Sequence, residues 1–285
     1  MAELLKGAPV AAALAERAAA DVEACKAKGV VPCLAILRVG ERDDDLSYER
    51  GATKRCAAAG VEVKNVVLPA DVDQDTMMAA IADLNADEAV HGVLMFRPLP
   101  KQLDEEACCE ALAACKDVDA ATIASLAHVF TGKGEGYAPC TAQACMEILS
   151  HYGSDPKGKR AAVIGRSLVI GKPVSMMLMG ANATVTTCHT KTVDMPSITQ
   201  EADIVVVAAG RMETIGAEYF KPGQTVIDVG IGWNEEKGKL CGDVKFDEVE
   251  PIVNAITPVP GGVGSVTTAV LVSHVVEAAK QVAGL

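Results

Sequence analysis

The chain has 285 residues, half of them hydrophobic, and a formal net charge of −12. That length accommodates two domains of ordinary size, and an acidic balance with no lysine or arginine block to offset it argues against a nucleic-acid surface. No apolar run approaches the roughly 20 residues of a bilayer span and no signal-peptide layout opens the chain, so the sequence reads as a cytoplasmic protein that does not enter a membrane. In chain order, alanine-rich helices are expected near residues 9–28, 46–59 and 73–86, alternating with strands over 31–39, 61–68 and 90–96. Further strands are expected over 161–165, 183–188, 204–208 and 225–231, and a last helix over about 267–283. Apolar strands alternating with helices imply a parallel α/β architecture. The expected division is a first domain over residues 1–140 and a second over 141–266, with the last helix packing back on the first domain.

The ten cysteines show no paired C-x-x-C spacing, and most lie among alanines and valines. They read as reduced, packed thiols, and no metal site is expected.

The segment Val163-Ile-Gly-Arg-Ser-Leu-Val-Ile-Gly-Lys-Pro173 runs an apolar strand into a glycine turn that opens a helix. Gly165 lets the chain reverse without a Cβ clash, and the first N–H groups of the following helix face outward with its dipole behind them, an arrangement suited to a phosphate. Arg166 adds a planar fork of donors and Ser167 a hydroxyl. The Gly165–Gly171 interval is wider than G-x-G-x-x-G, so the pattern alone is weak. The second strand of the unit ends in Cys188, followed by His189, Thr190 and Lys191 rather than by an acid. An acid there would hold a ribose 2′-hydroxyl, whereas its absence beside an arginine favours a 2′-phosphate, hence NADP.

Several stretches in order resemble one family along nearly the whole chain. They are Val39-Gly40 followed by Tyr48, Pro98-Leu99-Pro100, Lys116-Asp117-Val118-Asp119, Pro139-Cys140-Thr141, Gly165-Arg166-Ser167, Asp228-Val229-Gly230-Ile231, and Thr257-Pro-Val-Pro260-Gly261-Gly262-Val-Gly264. The family is methylenetetrahydrofolate dehydrogenase/methenyltetrahydrofolate cyclohydrolase. The resemblance implies an N-terminal α/β folate-binding domain and a C-terminal NAD(P)-binding Rossmann domain with a cleft between them, in a homodimer that works on tetrahydrofolate derivatives with NADP. It assigns Tyr48 and Asp119 as the folate-site pair, Pro98, Leu99, Pro260, Gly261 and Gly262 as further substrate-site positions, and Gly165, Arg166, Ser167, Thr190 and Ile231 to the cofactor.

Read without the family, Tyr48 serves equally as an aromatic filling a gap between helix and sheet. Asp119 reads as a helix cap or loop acid, and residues 260–264 read equally as a glycine segment that lets backbone approach a ligand closely or as a plain tight turn. Cys140 reads as packing and His189 as a loop residue. Ser265 and Val266 stand where the family commonly has Pro and Met.

The resemblance also implies a second activity, hydrolysis of the methenyl product, which uses a lysine four residues after the tyrosine and a glutamine two residues before the Pro-Leu-Pro run. Those positions hold Ala52 and Phe96 here. Neither side chain carries a proton or accepts a hydrogen bond, so weak or absent cyclohydrolase activity is expected. Lys54 is a possible substitute, although at about 100° per residue it lies off the face that Tyr48 and residue 52 share. Arg50 and Arg97 are further possible substitutes. Two other readings remain open on residue grounds: a dehydrogenase of another small substrate, and an NADP-binding module without catalysis.

Overall fold

A computed structural model describes residues 1–285, which divide into two compact units. Residues 13–140 and 268–285 form one unit, and residues 1–12 and 141–267 the other. The chain opens with a two-residue strand, β1 (Glu3–Leu4), and a long helix, α1 (Gly7–Ala27).

In the first unit β2 (Cys33–Val39), α2 (Asp43–Ala59), β3 (Glu62–Leu68), α3 (Gln74–Ala86) and β4 (Gly92–Met95) build a parallel sheet in the order β3-β2-β4. Every residue of β2 is buried, as a central strand covered on both faces requires. On one face Ala35, Leu37, Val93 and Met95 pack against Met77, Ile81 and Leu84 of α3. Cys108 and Cys109 of α4 (Glu105–Ala111) and the following Leu112 complete that core. Each large aliphatic side chain buried there contributes about 1.5–3 kcal/mol relative to exposure.

The helices start where short side chains satisfy otherwise orphaned N–H groups. Asp73 accepts from Thr76 N–H at 2.7 Å at the head of α3, and Asp104 accepts from Ala107 N–H at 3.0 Å at the head of α4. Thr122 accepts from Ser125 N–H at 3.0 Å at the head of α5 (Ile123–Thr131). Helix α2 ends at Gly60, whose φ of +78° only glycine adopts without cost.

The second unit begins within α6 (Cys140–His151). It continues through β5 (Arg160–Ile164), α7 (Gly171–Gly180), β6 (Thr184–Cys188), α8 (Met195–Gln200), β7 (Ile204–Val207) and β8 (Thr225–Asp228). A short antiparallel hairpin, β9 (Gly232–Asn234) and β10 (Lys239–Cys241), precedes α9 (Phe246–Val249) and β11 (Ala255–Ile256). The main sheet is parallel throughout, in the order β1-β11-β8-β7-β5-β6. From β5 the chain goes to β6 on one side and then returns to β7 on the other, which opens a crevice at the carboxyl ends of these strands.

One expectation changes at the N-terminus. Residues 1–12 group with the second unit instead of the first domain, because Glu3 and Leu4 pair with Ala255 and Ile256 and extend the six-stranded sheet. A strand of two residues carries no readable periodicity. The last helix, α10 (Thr267–Ala283), belongs to the first unit from residue 268 on. Val275 faces Gly92 so closely that a Cβ there would come within 3.0 Å of it.

Candidate functional site

The six residues after β5 reverse tightly before α7 begins at Gly171. Gly165 has φ +132°, and a Cβ on it would press into the Ala208 carbonyl at the end of β7. Gly171 is equally constrained, since its Cβ would meet the Gly165 carbonyl. No side chain caps α7, which leaves its amino end to an anion. Ser167 holds the turn from within, its Oγ accepting from Ile170 N–H at 3.2 Å and its carbonyl from Lys172 N–H at 3.0 Å.

A hollow of about 740 Å³ opens beside this turn. Gly165, Arg166 and Ser167 line it after β5, His189 and Thr190 after β6, and Ala208 and Arg211 after β7. It therefore occupies the carboxyl-end crevice that the strand order creates. No carboxylate stands within ion-pair distance of Arg166 or Arg211. His189 Nδ1 accepts from Lys191 N–H at 3.1 Å, which uses one ring nitrogen to shape the loop. A smaller hollow of about 430 Å³ lies at the opposite, amino end of β5 and β6, where Arg160 is already paired with Glu201 at 2.8 Å.

Ile231 stands apart from the other expected cofactor residues. It follows β8, is 61 % exposed and does not line the 740 Å³ hollow. The residue that sequence reasoning missed there is Arg211, whose only sequence signal is the Ala-Gly-Arg turn after an apolar strand.

Two buried carboxylates brace the loops around this crevice. Asp228 accepts from the N–H groups of Gly230 at 3.0 Å, Asp243 at 3.1 Å and Val244 at 3.0 Å. Asp243 accepts from Gly210 N–H at 2.8 Å, immediately before Arg211. Burial pushes the Asp228 carboxyl up to about 7 against the pull of its three N–H donors, and the neighbouring Asp243 adds to the rise.

In the other unit Tyr48, 38 % exposed on α2, meets Phe96 edge to face with ring centroids 5.8 Å apart at 78°. Ala52 is wholly buried one helical turn beyond Tyr48. Helix α2 runs unbroken through Gly51, and Lys54 is exposed on it. This corrects the expectation that Lys54 could stand in for the missing lysine, because an uninterrupted helix turns it away from the buried stripe that carries Ala52.

Arg97 follows Phe96, and its charge acts on Asp119. Asp119 Oδ1 accepts from Cys140 N–H at 2.9 Å. Burial pushes the Asp119 carboxyl above the usual carboxylate range, opposed by the Cys140 hydrogen bonds and by Arg97. Pro98 is exposed, while Leu99 is buried in the α3/α4 core, its N–H donating to Glu105 Oε2 at 2.6 Å. Cys140 is buried, its thiol pushed well up by burial and by Asp119, and it donates to the Val118 carbonyl at 3.4 Å. It therefore remains a protonated packing group.

Pro260, Gly261 and Gly262 belong to the unit that holds β5–β8. Gly261 accepts from Gly7 N–H at 2.8 Å, and a Cβ on Gly7 would strike the Gly262 carbonyl. Backbone meets backbone here, which accounts for glycine on both sides.

Two family models match the chain: the tetrahydrofolate dehydrogenase/cyclohydrolase catalytic domain over residues 5–119 and the NAD(P)-binding domain of the same family over residues 139–283. The bifunctional protein FolD of Carboxydothermus hydrogenoformans is 50 % identical over 286 aligned positions, covering 100 % of both chains. The crystal structure of the bifunctional FolD enzyme, methylenetetrahydrofolate dehydrogenase/cyclohydrolase, from Campylobacter jejuni superposes with a TM-score of 0.94 at 36 % identity, covering 99 % of each chain. That of Trypanosoma brucei FolD, complexed with NADP cofactor and an inhibitor, gives 0.90 at 34 %, covering 99 % of this chain and 98 % of the other.

Proposed function

The chain belongs to the tetrahydrofolate dehydrogenase/cyclohydrolase family, and from that premise we propose that it oxidises 5,10-methylenetetrahydrofolate to the methenyl form with NADP as hydride acceptor, with little or no hydrolysis of the product. The observation that carries the second half is the pair of residues beside Tyr48: Ala52 with no exposed surface and Phe96 at 8 %, packed as an apolar wall.

The residues after β5 suit the phosphorylated cofactor. The uncapped amino end of α7 accepts the pyrophosphate, and Arg166, Thr190 and Arg211 offer donors to the 2′-phosphate. NADP supplies a nicotinamide carbon that accepts a hydride. The protein's own task is positioning, because lone pairs on the two nitrogens flanking the methylene carbon stabilise the cation that forms, and no side chain has to move a proton. Tyr48 offers a ring for the ligand to stack on and a hydroxyl, and Asp119 two coplanar acceptors for the amino edge of the pterin.

Hydrolysis is a different task. It needs a group that gives and takes a proton beside the methenyl carbon, and an alanine methyl and a phenyl ring offer none. The only cation beside Phe96 in sequence, Arg97, is a guanidinium with donors and no acceptor. Tetrahydrofolate derivatives are thus the small-molecule partners, with a homodimer as the assembly that the resemblance implies. No helix is long and apolar enough to cross a membrane, and nine of ten free thiols are buried, in keeping with a cytoplasmic setting.

Supplying methylenetetrahydrofolate and NADP while following NADPH and the methenyl species separately tests the proposal. We expect methenyltetrahydrofolate to accumulate in step with NADPH, and NAD to be a poor substitute. Formyltetrahydrofolate appearing at the rate of reduction would overturn the hydrolase half. No reduction of either nucleotide would overturn the dehydrogenase half.

A further inference from the structure

Arg38 is the only charged side chain in β2, otherwise Cys-Leu-Ala-Ile-Leu and Val, and it is 8 % exposed. Its Nε donates to Glu49 Oε2 at 2.6 Å and its Nη1 donates to the Gly40 carbonyl. The two side chains are 9 % and 15 % exposed. Glu49 falls in register with Asp45, Ala52, Cys56 and Ala59, the buried stripe of α2.

Each partner of this ion pair is the chain neighbour of a residue that holds the aromatic contact. Tyr48 precedes Glu49. Leu37, which precedes Arg38, accepts at its carbonyl from Phe96 N–H at 2.9 Å. The circuit Tyr48–Glu49–Arg38–Leu37–Phe96 then closes where the two rings meet at 5.8 Å.

An apolar pair of similar volume would hold helix to sheet as well as a buried ion pair does, because removing both charges from water costs several kcal/mol. Direction is what the charged pair adds. A guanidinium donating to a carboxylate and a carbonyl at once fixes both the rotation of α2 and its height over β2.

We propose that Arg38 and Glu49 are positioning residues of the folate site, setting the angle at which Tyr48 stands on Phe96 and so the face it offers to a flat heteroaromatic ligand. This rests on the reading of Tyr48 as a folate-contacting residue.

The test is the Arg38→Leu/Glu49→Leu double variant, which keeps the burial and loses the direction. We expect a thermal midpoint close to that of the unaltered chain, a KM for methylenetetrahydrofolate raised about ten- to a hundredfold, and an unchanged KM for NADP. Affinity for folic acid, measured by calorimetry, falls in parallel. Glu49→Gln keeps the shape and one acceptor, and should raise the folate KM about three- to tenfold, a shift that decides the matter should the double variant unfold. A folded double variant, or failing that a Glu49→Gln variant, with folate KM and folic-acid affinity within about twofold of the unaltered chain would overturn the proposal. Folic acid binding that the double variant loses, in a chain that never reduces NADP, would overturn the reaction and leave the positioning role standing. An unaltered chain that binds no folic acid overturns both.

Discussion

Gly165 and Gly210 both have positive φ, +132° and +68°, and the two differ in what surrounds them. A Cβ at 210 meets nothing within 4 Å, so Gly210→Ala costs only the left-handed backbone penalty of about 1–2 kcal/mol. A Cβ at 165 meets the Ala208 carbonyl, in a backbone region essentially closed to any other residue. Gly165→Ala must therefore push β5 and β7 apart at the crevice. We expect it to lower the thermal midpoint more than Gly210→Ala does and to weaken NADP binding by more than about tenfold, since the turn that presents Arg166 moves with it. Thermal unfolding and nucleotide titration of the two variants side by side check this. Equal losses at both positions would show that the close approach to Ala208 is not what requires glycine at 165.

At the scale of elements, the loops after β7 and β8 are tied through Asp228 and Asp243 to the segment that follows the β9–β10 hairpin. This bracing titrates. In the unfolded chain an aspartate ionises near pH 4, whereas burial holds Asp228 up to about 7. The folded protein thus keeps a proton that the unfolded chain releases. Its contribution is fully present below about pH 4 and is lost as the pH rises through about 7, on the order of 4 kcal/mol in all. Denaturant unfolding of the unaltered chain and of Asp228→Asn from pH 4 to 8 should show the former losing stability relative to the latter. Parallel curves would mean that Asp228 is ionised throughout. The bracing itself was not legible in the sequence, because it depends on a fourteen-residue excursion of polar and glycine-rich chain between β8 and Asp243. The strands β2, β3 and β5–β8 were legible, since apolar runs bounded by glycine and polar residues have few other uses. The short helices α4, α5 and α8 were not, because their helical periodicity spans fewer than three turns and their starts are set by single capping residues such as Asp104 and Thr122. At the site, the glycine turn was readable from local chemistry. The Arg38–Glu49 tie was not, since it joins residues on different elements that only the α2/β2 packing brings together.

For the whole molecule, neither unit is one continuous piece of chain. Residues 1–12 complete the sheet of the unit that otherwise begins at 141, and residues 268–285 complete the unit that otherwise ends at 140. Helix α10 buries Val270, Leu271, Val272, Val275 and Val276, together with three alanines. His274 is in hydrogen-bond contact with the Val118 carbonyl at 2.9 Å and packs on the Tyr137 ring with centroids 5.0 Å apart, and Lys280 pairs with Asp21 at 3.2 Å. Five large aliphatic side chains at about 1.5–3 kcal/mol each are together comparable to the roughly 5–15 kcal/mol that holds a domain folded. A chain ending at residue 266 should therefore lose the three-stranded unit while the six-stranded one persists. Limited proteolysis should release a resistant core from residues 141–266 with nothing resistant from 13–140, and nucleotide binding should outlast folate binding. Because α1 leads from the strand paired with β11 into the unit that is lost, cleavage within α1 should follow quickly. Equal resistance of both units in the shortened chain would mean that α10 is a peripheral addition to a fold already complete at residue 140.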